Sequence, residues 1–358
     1  MFKEITLRNY RTHKLTTIKL HPVTLLIGNN NSGKTNLLAG IQHFCGLVRR
    51  GRPDRSPHPT VYPNEYFPHR YRLAGDDEPM AISIKWDNSR GEIGYEMELY
   101  QNGNFRENTG CKEKIIIKLA DADKPKKVGS GYDEPTNLIA LRKKIESESA
   151  LQEAEKELCR SFFRDFAYTF SYHFQPSFLK APVQGDGTDD SEEAEEGQGK
   201  VRIPSALGSD GRNLQKMLRH VKEKEEHIYS RFAALMRSFE GNFHGIRYDI
   251  ERSHPQLIWE FLGSADRPTE KFTPDVVSDG LMKAAAIALL ASLERPPALI
   301  LLEEIENGIN PGNIQKLMYW IWQTTAPNQE GHAPQFILTS HSPSVLREFH
   351  DHLDYVYT

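Results

Sequence analysis

The sequence predicts an α/β fold organised on a P-loop core sheet, with an antiparallel β-lobe and a short helical lobe attached. Three features predict it. Val23–Ile27 is a continuous apolar run ending at Gly28, as a buried strand reads, and it opens into Asn36–Val48, apolar at helical spacing. Ala298–Leu302 is a second apolar run and ends in Glu303-Glu304. Gln335–Thr339 is a third and runs into Ser340-His341-Ser342-Pro343.

The remaining elements follow in order. Phe2–Leu7 and Leu15–Leu20 read as strands joined by a turn at Asn9–Lys14. Residues 51–79, rich in Pro, Arg, His and Tyr, lack periodicity and read as a long irregular connection. Ala81–Trp86, Tyr95–Tyr100 and Lys114–Leu119 make an antiparallel meander with a turn signal at Gln101-Asn102-Gly103-Asn104, and residues 121–135 read as a loop. Asn137 to Arg160 is predicted as one helix, Phe166–Phe174 as a strand, and Arg212 to Phe239 as a second long helix, the two helical stretches suggesting the helical lobe. Between them, Gln184–Lys200 holds seven acidic residues and almost nothing apolar, the composition of a disordered or mobile insert. Ile246–Ile250 and Gln256–Leu262 are predicted strands, Leu281–Leu293 an Ala-rich buried helix, Asn313–Thr324 a helix, Pro343–Phe349 the start of another, and Leu353–Tyr357 a strand. The abrupt stop there suggests a natural C-terminus that is cut or close by. The division expected is 1–135, 136–245 and 246–358: first half of the core-sheet head, helical lobe with the insert, second half of the head.

Composition narrows the class. Across 358 residues, 38% are hydrophobic and 26% charged, ordinary for a soluble globular chain with a sizeable core. No apolar run reaches the roughly 18 residues that span a bilayer. The N-terminus lacks a basic segment followed by an apolar one, so no signal peptide is read and the cytoplasm is the default. Cys45, Cys111 and Cys159 are scattered and odd in number, which argues against a disulfide framework or a cysteine zinc site. A net charge of -4 is no global footprint for nucleic acid, although Arg49, Arg50, Arg52 and Arg55, and Lys124, Lys126 and Lys127, form local basic clusters that read either as solvated loops or as a DNA-facing patch.

The chemistry lies in four motifs. Gly28-Asn29-Asn30-Asn31-Ser32-Gly33-Lys34-Thr35 matches G-x-x-x-x-G-K-[ST] between a strand and a helix that begins at Asn36, the context that gives the motif meaning. Its glycines let backbone N–H groups approach phosphate oxygens, and the helix N-terminus adds its dipole. Lys34 is assigned to the β- and γ-phosphates of ATP and the Thr35 hydroxyl to Mg²⁺. Glu303 is assigned to the metal, usually through water, and Glu304 to the attacking water as general base; the usual first residue is Asp, so Glu303 departs by a methylene. Ser278 and Gly280, in Val277-Ser278-Asp279-Gly280-Leu281, offer a hydroxyl and a helix N-terminus to a γ-phosphate, with Asp279 pointing away or capping the helix. Read alone, Ser278-Asp279 is simply an N-cap; its place ahead of the carboxylate strand favours the phosphate reading. His341, just past the third strand, is placed to reach the γ-phosphate. Candidate catalytic residues are therefore Glu304, His341 and Lys34.

Together these motifs resemble the ABC-type ATPases of the RecF, SMC and overcoming-lysogenization-defect (OLD) group. The likeness includes Leu7-Arg8-Asn9-Tyr10-Arg11, Asp210-Gly211-Arg212-Asn213-Leu214 and Glu303-Glu304-Ile305-Glu306, the last like the E-E-P-E of OLD-like members with Ile305 for Pro and Asn310 where His is common. Those members often carry Glu at the first acidic position. The resemblance implies an ABC ATPase head, ATP and Mg²⁺, and a D-loop at Ile305–Pro311. It also puts Arg11 near the nucleotide base or ribose and Gln175 in the Q-loop beside the metal. It implies assembly with itself, as a homodimer or higher oligomer in which one copy completes the site of another. In transporter ATPases the signature follows the phosphate loop much more closely than Ser278 follows Lys34. There is no long heptad run of the SMC type, and no room after His341 for the Toprim nuclease of OLD enzymes. An ATPase-only member or fragment is expected.

Three functions fit. One is a nucleotide-gated switch controlling a separate effector, a nuclease or toxin, in antiphage defence. Another is a DNA-repair or DNA-end-binding ATPase, for which Arg49–Arg55 is the best basic candidate. The third is a scaffold that binds ATP with negligible turnover.

Overall fold

The computed structural model describes residues 1–50, 69–75, 78–101, 109–129, 140–181, 207–249, 256–263, 269–327 and 333–358. Its elements, in chain order, are β1 (Phe2–Tyr10), β2 (His13–Lys19), β3 (Val23–Ile27), α1 (Lys34–Arg50), β4 (Met80–Asn88), β5 (Gly91–Gln101), β6 (Thr109–Leu119), β7 (Lys126–Gly129), α2 (Ala140–Ser147), α3 (Glu153–Ala167), β8 (Thr169–Tyr172), α4 (Pro176–Leu179), α5 (Leu214–Lys224), α6 (Glu226–Phe239), β9 (Phe243–Asp249), β10 (Gln256–Leu262), β11 (Thr269–Phe272), α7 (Asp279–Ser292), β12 (Leu299–Leu302), α8 (Pro311–Thr324), β13 (Gln335–Ser340), α9 (Pro343–Arg347) and β14 (Val356–Tyr357).

Among the described residues these strands form three sheets. An antiparallel sheet runs β2-β1-β4-β5-β6-β7, a small antiparallel sheet runs β11-β10-β9, and a parallel sheet runs β14-β3-β13-β12-β8. The parallel sheet is covered on both faces, which is why its strands read as unbroken apolar runs rather than alternating ones. Successive residues of β12 divide between two cores. Leu299 and Leu301 face α1, α3 and the antiparallel β-lobe; Ile300 and Leu302 face α7 and α8. β13 divides the same way, with Ile337 on the first side and Phe336 and Leu338 on the second.

Several predicted elements change on folding. The single helix over 137–160 is two helices, because Glu148–Gln152 interrupts it and Glu155 turns back to the Gln152 N–H at 2.7 Å in a capping box that starts α3 afresh. α3 then runs to Ala167, so the strand expected over 166–174 shortens to Thr169–Tyr172. The helix over 212–239 breaks at Glu225, which leaves α-helical φ/ψ and caps both halves. α5 and α6 pack in the core of α7, α8 and the β9–β10 pair, whereas α2 and α3, expected with them, pack in the core of α1 and the antiparallel sheet. Lys126–Gly129, read as loop, pairs as an edge strand with β6, and Thr269–Phe272 adds a strand no pattern announced. The hairpin between β1 and β2 is tighter than the turn read at Asn9–Lys14, with Asn9 and Arg11 both at positive φ. The last strand shrinks to Val356–Tyr357 behind a short 3-10 turn. The acidic stretch 184–200, Arg52 and Arg55 lie outside the described residues.

One buried carboxyl marks the antiparallel lobe. Glu113 on β6 is 5% exposed and accepts the Tyr95 hydroxyl at 2.5 Å. Burial pushes its pKa from 4.5 up to about 7, against the pull of Tyr95 and Arg142. Between those values the folded chain holds a proton that the unfolded chain has lost, so stability falls as pH rises through that window. The loss has a ceiling of about 3 kcal/mol. Urea unfolding at pH 5 and pH 8 should show this slope in the native chain and a flatter one in Glu113→Gln; parallel slopes would reject the assignment.

Candidate functional site

The C-terminal ends of the parallel strands all open on one edge of their sheet, where ligands of such sheets bind. Register sets the heights. Ile27 pairs with Ser340, Leu302 with Leu338, and Leu302 also with Tyr172. The loop after β3, the carboxylates after β12, the segment after β13 and the residue after β8 therefore meet.

The loop Gly28–Thr35 wraps the N-terminus of α1. Asn31 and Gly33 take positive φ (71° and 93°), a conformation glycine accepts without strain. A side chain at Gly33 would also meet the His13 ring at 3.1 Å. The Lys34 ammonium lies within the loop, donating to Gly28 O at 2.7 Å, Asn29 O at 2.9 Å and Ser32 Oγ at 3.1 Å. The β1–β2 hairpin supports the loop from outside: His13 Nε2 lies 3.1 Å from Gly33 O, and Asn36 Nδ2 donates to Thr12 Oγ1 at 3.0 Å. Arg11 donates to Asn36 Oδ1 at 3.2 Å and lies 3.3 Å from His69 Nδ1, so it stands at the start of α1.

Thr35, in the first turn of α1, lies close enough to Glu303, just past β12, for its hydroxyl to favour the charged carboxylate. Glu303 is mostly buried, its side chain 13% exposed, and its backbone N–H donates to Tyr172 O at 3.0 Å. Burial raises its pKa, while His173, 3.8 Å away, and Thr35 pull it back and Glu304 adds to the rise. His173 is a residue the motifs did not single out. Gln175, the expected Q-loop group, is the exposed N-cap of α4 and makes no side-chain cap bond. Only the parallel pairing of β8 with β12 could have pointed to His173.

Glu304 takes a left-handed conformation, φ 46°, and leads a tight turn. Its N–H donates to Thr339 Oγ1 at 2.9 Å, and Ile305 N–H to Thr339 O at 3.2 Å. Its carboxylate accepts Asn307 Nδ2 at 3.4 Å. Glu306, one turn position on, accepts His341 N–H at 2.8 Å and has His341 Nδ1 at 3.2 Å, which orients an otherwise exposed ring.

Ser278 is exposed and caps α7 by accepting Leu281 N–H at 3.3 Å. Asp279 points away from the cap into an ion pair with Lys180 at 2.6 Å. Gly280 has a packing reason of its own: a Cβ there would stand 2.3 Å from Gly308 O, so the first turn of α7 is pressed onto the loop that follows the carboxylates. The structure thus gathers Gly28–Asn36, Arg11, Glu303, Glu304 and His341 on one edge, and places Gly280 against Gly308 of the 304–308 turn with Ser278 exposed at the start of α7. Among the described residues, no cluster of three or more His, Cys, Asp or Glu side chains could hold a metal on its own.

Two family models match this chain. One, described as "AAA domain, putative AbiEii toxin, Type IV TA system", matches residues 162–347, and one described as "AAA ATPase domain" matches residues 1–180. Each spans half of the chain or more, and the chain belongs to the AAA ATPase domain family. Curated relatives include the DNA replication and repair protein RecF of Chlorobaculum parvum and that of Chlorobaculum tepidum, each 25% identical over 167 residues. Those matches cover 43% of this chain and 45% of the length of each relative. Among solved structures, the SMC head domain from Thermotoga maritima aligns over 97% of this chain and 91% of its own (TM-score 0.44, 13% identity). An SMC head bound to the C-terminal winged-helix domain of ScpA aligns over 97% and 92% (TM-score 0.47, 13% identity). Among the described residues, no helix is long and apolar enough to cross a membrane.

The contact between Gly280 and Gly308 can be tested by itself. Gly280→Ala should cost about 1–3 kcal/mol through overpacking, and Ser278→Ala about 1 kcal/mol through the lost cap. Urea midpoints measure both; a Gly280→Ala protein as stable as the native chain would show that the turn simply moves aside.

Proposed function

We propose that this chain binds ATP with Mg²⁺ and hydrolyses it, working as a nucleotide-gated switch in a homodimer or higher oligomer. The observation that carries the reading is the convergence of the phosphate loop after β3 and the carboxylates after β12 on one sheet edge, since both strands pair in parallel with β13. A hydroxyl and one carboxylate make a sparse donor set, which suits Mg²⁺, an ion that keeps most of its waters and shares phosphate oxygens. Thr35 and Glu303 would hold the ion, and it would neutralise charge on the phosphates during transfer.

In this reading the backbone N–H groups of Gly28–Thr35 and the N-terminus of α1 bind the phosphates, and Lys34 exchanges its loop oxygens for those of the β- and γ-phosphates. Asn36 and Arg11 border the same pocket. Glu304, half-buried and oriented by Asn307 and Thr339, takes a proton from the attacking water. His341, with Nδ1 turned to Glu306, presents its other ring nitrogen to the γ-phosphate. Ser278 and Gly280 complete the site from a neighbouring copy, Ser278 being exposed at the start of α7 and Gly280 packed on Gly308 in its own chain. Binding closes the assembly and hydrolysis opens it. The output is control of a separate effector, a nuclease or toxin, in antiphage defence inside the cytoplasm. Its support is the matched family description, which names an AbiEii toxin of a type IV TA system.

A second reading, a DNA-repair ATPase, is favoured by the RecF relatives. It needs a basic surface, and Arg49 does not supply it. Its Nε and Nη2 donate to Ala167 O and Thr169 O at 2.9 Å, and it stacks on Phe170, tying α1 to β8. A duplex-binding assay across a salt series separates the readings: affinity that falls steeply with salt supports repair.

Glu304→Gln should lower phosphate release by at least about 100-fold while retaining bound ATP and a larger closed species on size exclusion. Lys34→Ala should lose ATP binding. Wild-type turnover in Glu304→Gln would refute the general-base assignment, and no measurable release from the native chain, with or without an effector, would leave an ATP-binding scaffold in its place.

A further inference from the structure

Lys283 is the only charged residue on α7 beyond its first turn, in a helix whose residues from Leu281 to Ser292 are all buried. It is 5% exposed, and lysines are rarely so buried without a partner. Its ammonium donates to Glu304 O at 2.5 Å and to Asn307 O at 3.2 Å, spanning the turn that carries the acidic pair. Burial lowers its pKa to about 8, opposed by the Glu306 and Glu304 carboxylates. The turn needs holding: Glu304 sits at φ 46°, a left-handed conformation that is unfavourable for a non-glycine residue.

We propose that Lys283 is a positioning residue that fixes the left-handed turn of Glu304 and fastens it to α7, the helix whose N-terminus carries Ser278. This rests on the reading of Glu304 as general base. Thr339 holds the same turn from β13 through the Glu304 and Ile305 N–H groups. Lys283 takes the opposite side, the carbonyl oxygens, so the turn is clamped between strand and helix. The contact of Gly280 with Gly308 lies one helical turn away and closes the clamp. The general base and the serine offered to a neighbouring site then move as one body.

The experiment compares Lys283→Met, Lys283→Arg and Glu304→Gln in the full chain, by steady-state phosphate release, ATP binding and amide hydrogen exchange over residues 303–310. Lys283→Met should lower kcat at least about 10-fold with KM for ATP within about 2-fold, the signature of a step-specific effect. Exchange over 303–310 should quicken. Lys283→Arg should recover part of kcat and of the protection. Unchanged exchange in Lys283→Met, or faster exchange with native kcat, overturns the proposal. If Lys283→Met fails to fold, Lys283→Arg decides: a folded protein that loses both protection and turnover overturns it too, and retention of both supports it. Glu304→Gln keeps the two readings apart, because it should abolish turnover with protection intact. Native turnover there sinks the general-base reading, while the exchange measurement still decides whether Lys283 holds the turn.

Discussion

The approach of the Thr35 hydroxyl to the Glu303 carboxylate depends on everything beneath it. Thr35 is delivered by β3 and α1, Glu303 by β12, and these strands are not neighbours: β13 lies between them. The two residues come together because both strands pair in parallel with β13 and end on the same edge. A slip of one residue in either pairing would turn the apolar sets of the strand to the wrong core and lift a site residue out of reach. The two-sided burial of β12 and β13 is therefore what sets the distance between hydroxyl and carboxylate. Stability and site geometry are one constraint here.

That constraint explains what the sequence could disclose. The phosphate loop, the acidic pair and the buried strands were legible because each is local: glycines at fixed offsets, a lysine and a threonine at a helix start, an apolar run with an acidic end. His173, Thr339 and Lys283 carry no such signature. Their importance comes from strand register and from a helix packed across a turn, which no local pattern encodes. His173 reaches the carboxylate because Leu302 pairs with Tyr172, two residues ahead of the expected Q-loop residue Gln175. Helix ends were misread where capping rather than composition decides, as at Gln152 with Glu155 and at Glu225. Arg49 shows the opposite error: it reads as surface charge, yet its guanidinium is bonded to two carbonyls of the α3–β8 junction.

The signature segment answers to two demands. Gly280 must lack a side chain because Gly308 O lies against it, and Ser278 must remain exposed while capping α7. Asp279, which departs from the common residue, is held by Lys180 beside α4, and α4 follows directly on His173 and Gln175. Two connections therefore converge on the start of α7, one from the carboxylate turn and one from the segment after β8. A displacement at either would be felt at Ser278, whose exposure leaves it free for a group from outside the chain.

Electrostatics limits how such a site can be used. Glu303, Glu304 and Glu306 fall within four residues, against a buried ammonium at Lys283 and imidazoles at His173 and His341. Lys283 is bonded to carbonyls of the turn, so it steadies the backbone more than it cancels the carboxylates. A triphosphate brought to this edge meets like charge from the acidic turn. Lys34, the N–H groups of the loop and the dipole of α1 oppose that repulsion from one side only. On the proposed reading a divalent cation between Thr35 and Glu303 supplies the balance, and the helix start bearing Ser278 supplies more from a second copy. The acidity of the turn thus favours nucleotide held jointly by metal and neighbour over nucleotide held by the loop alone, the bias a switch governed by assembly requires.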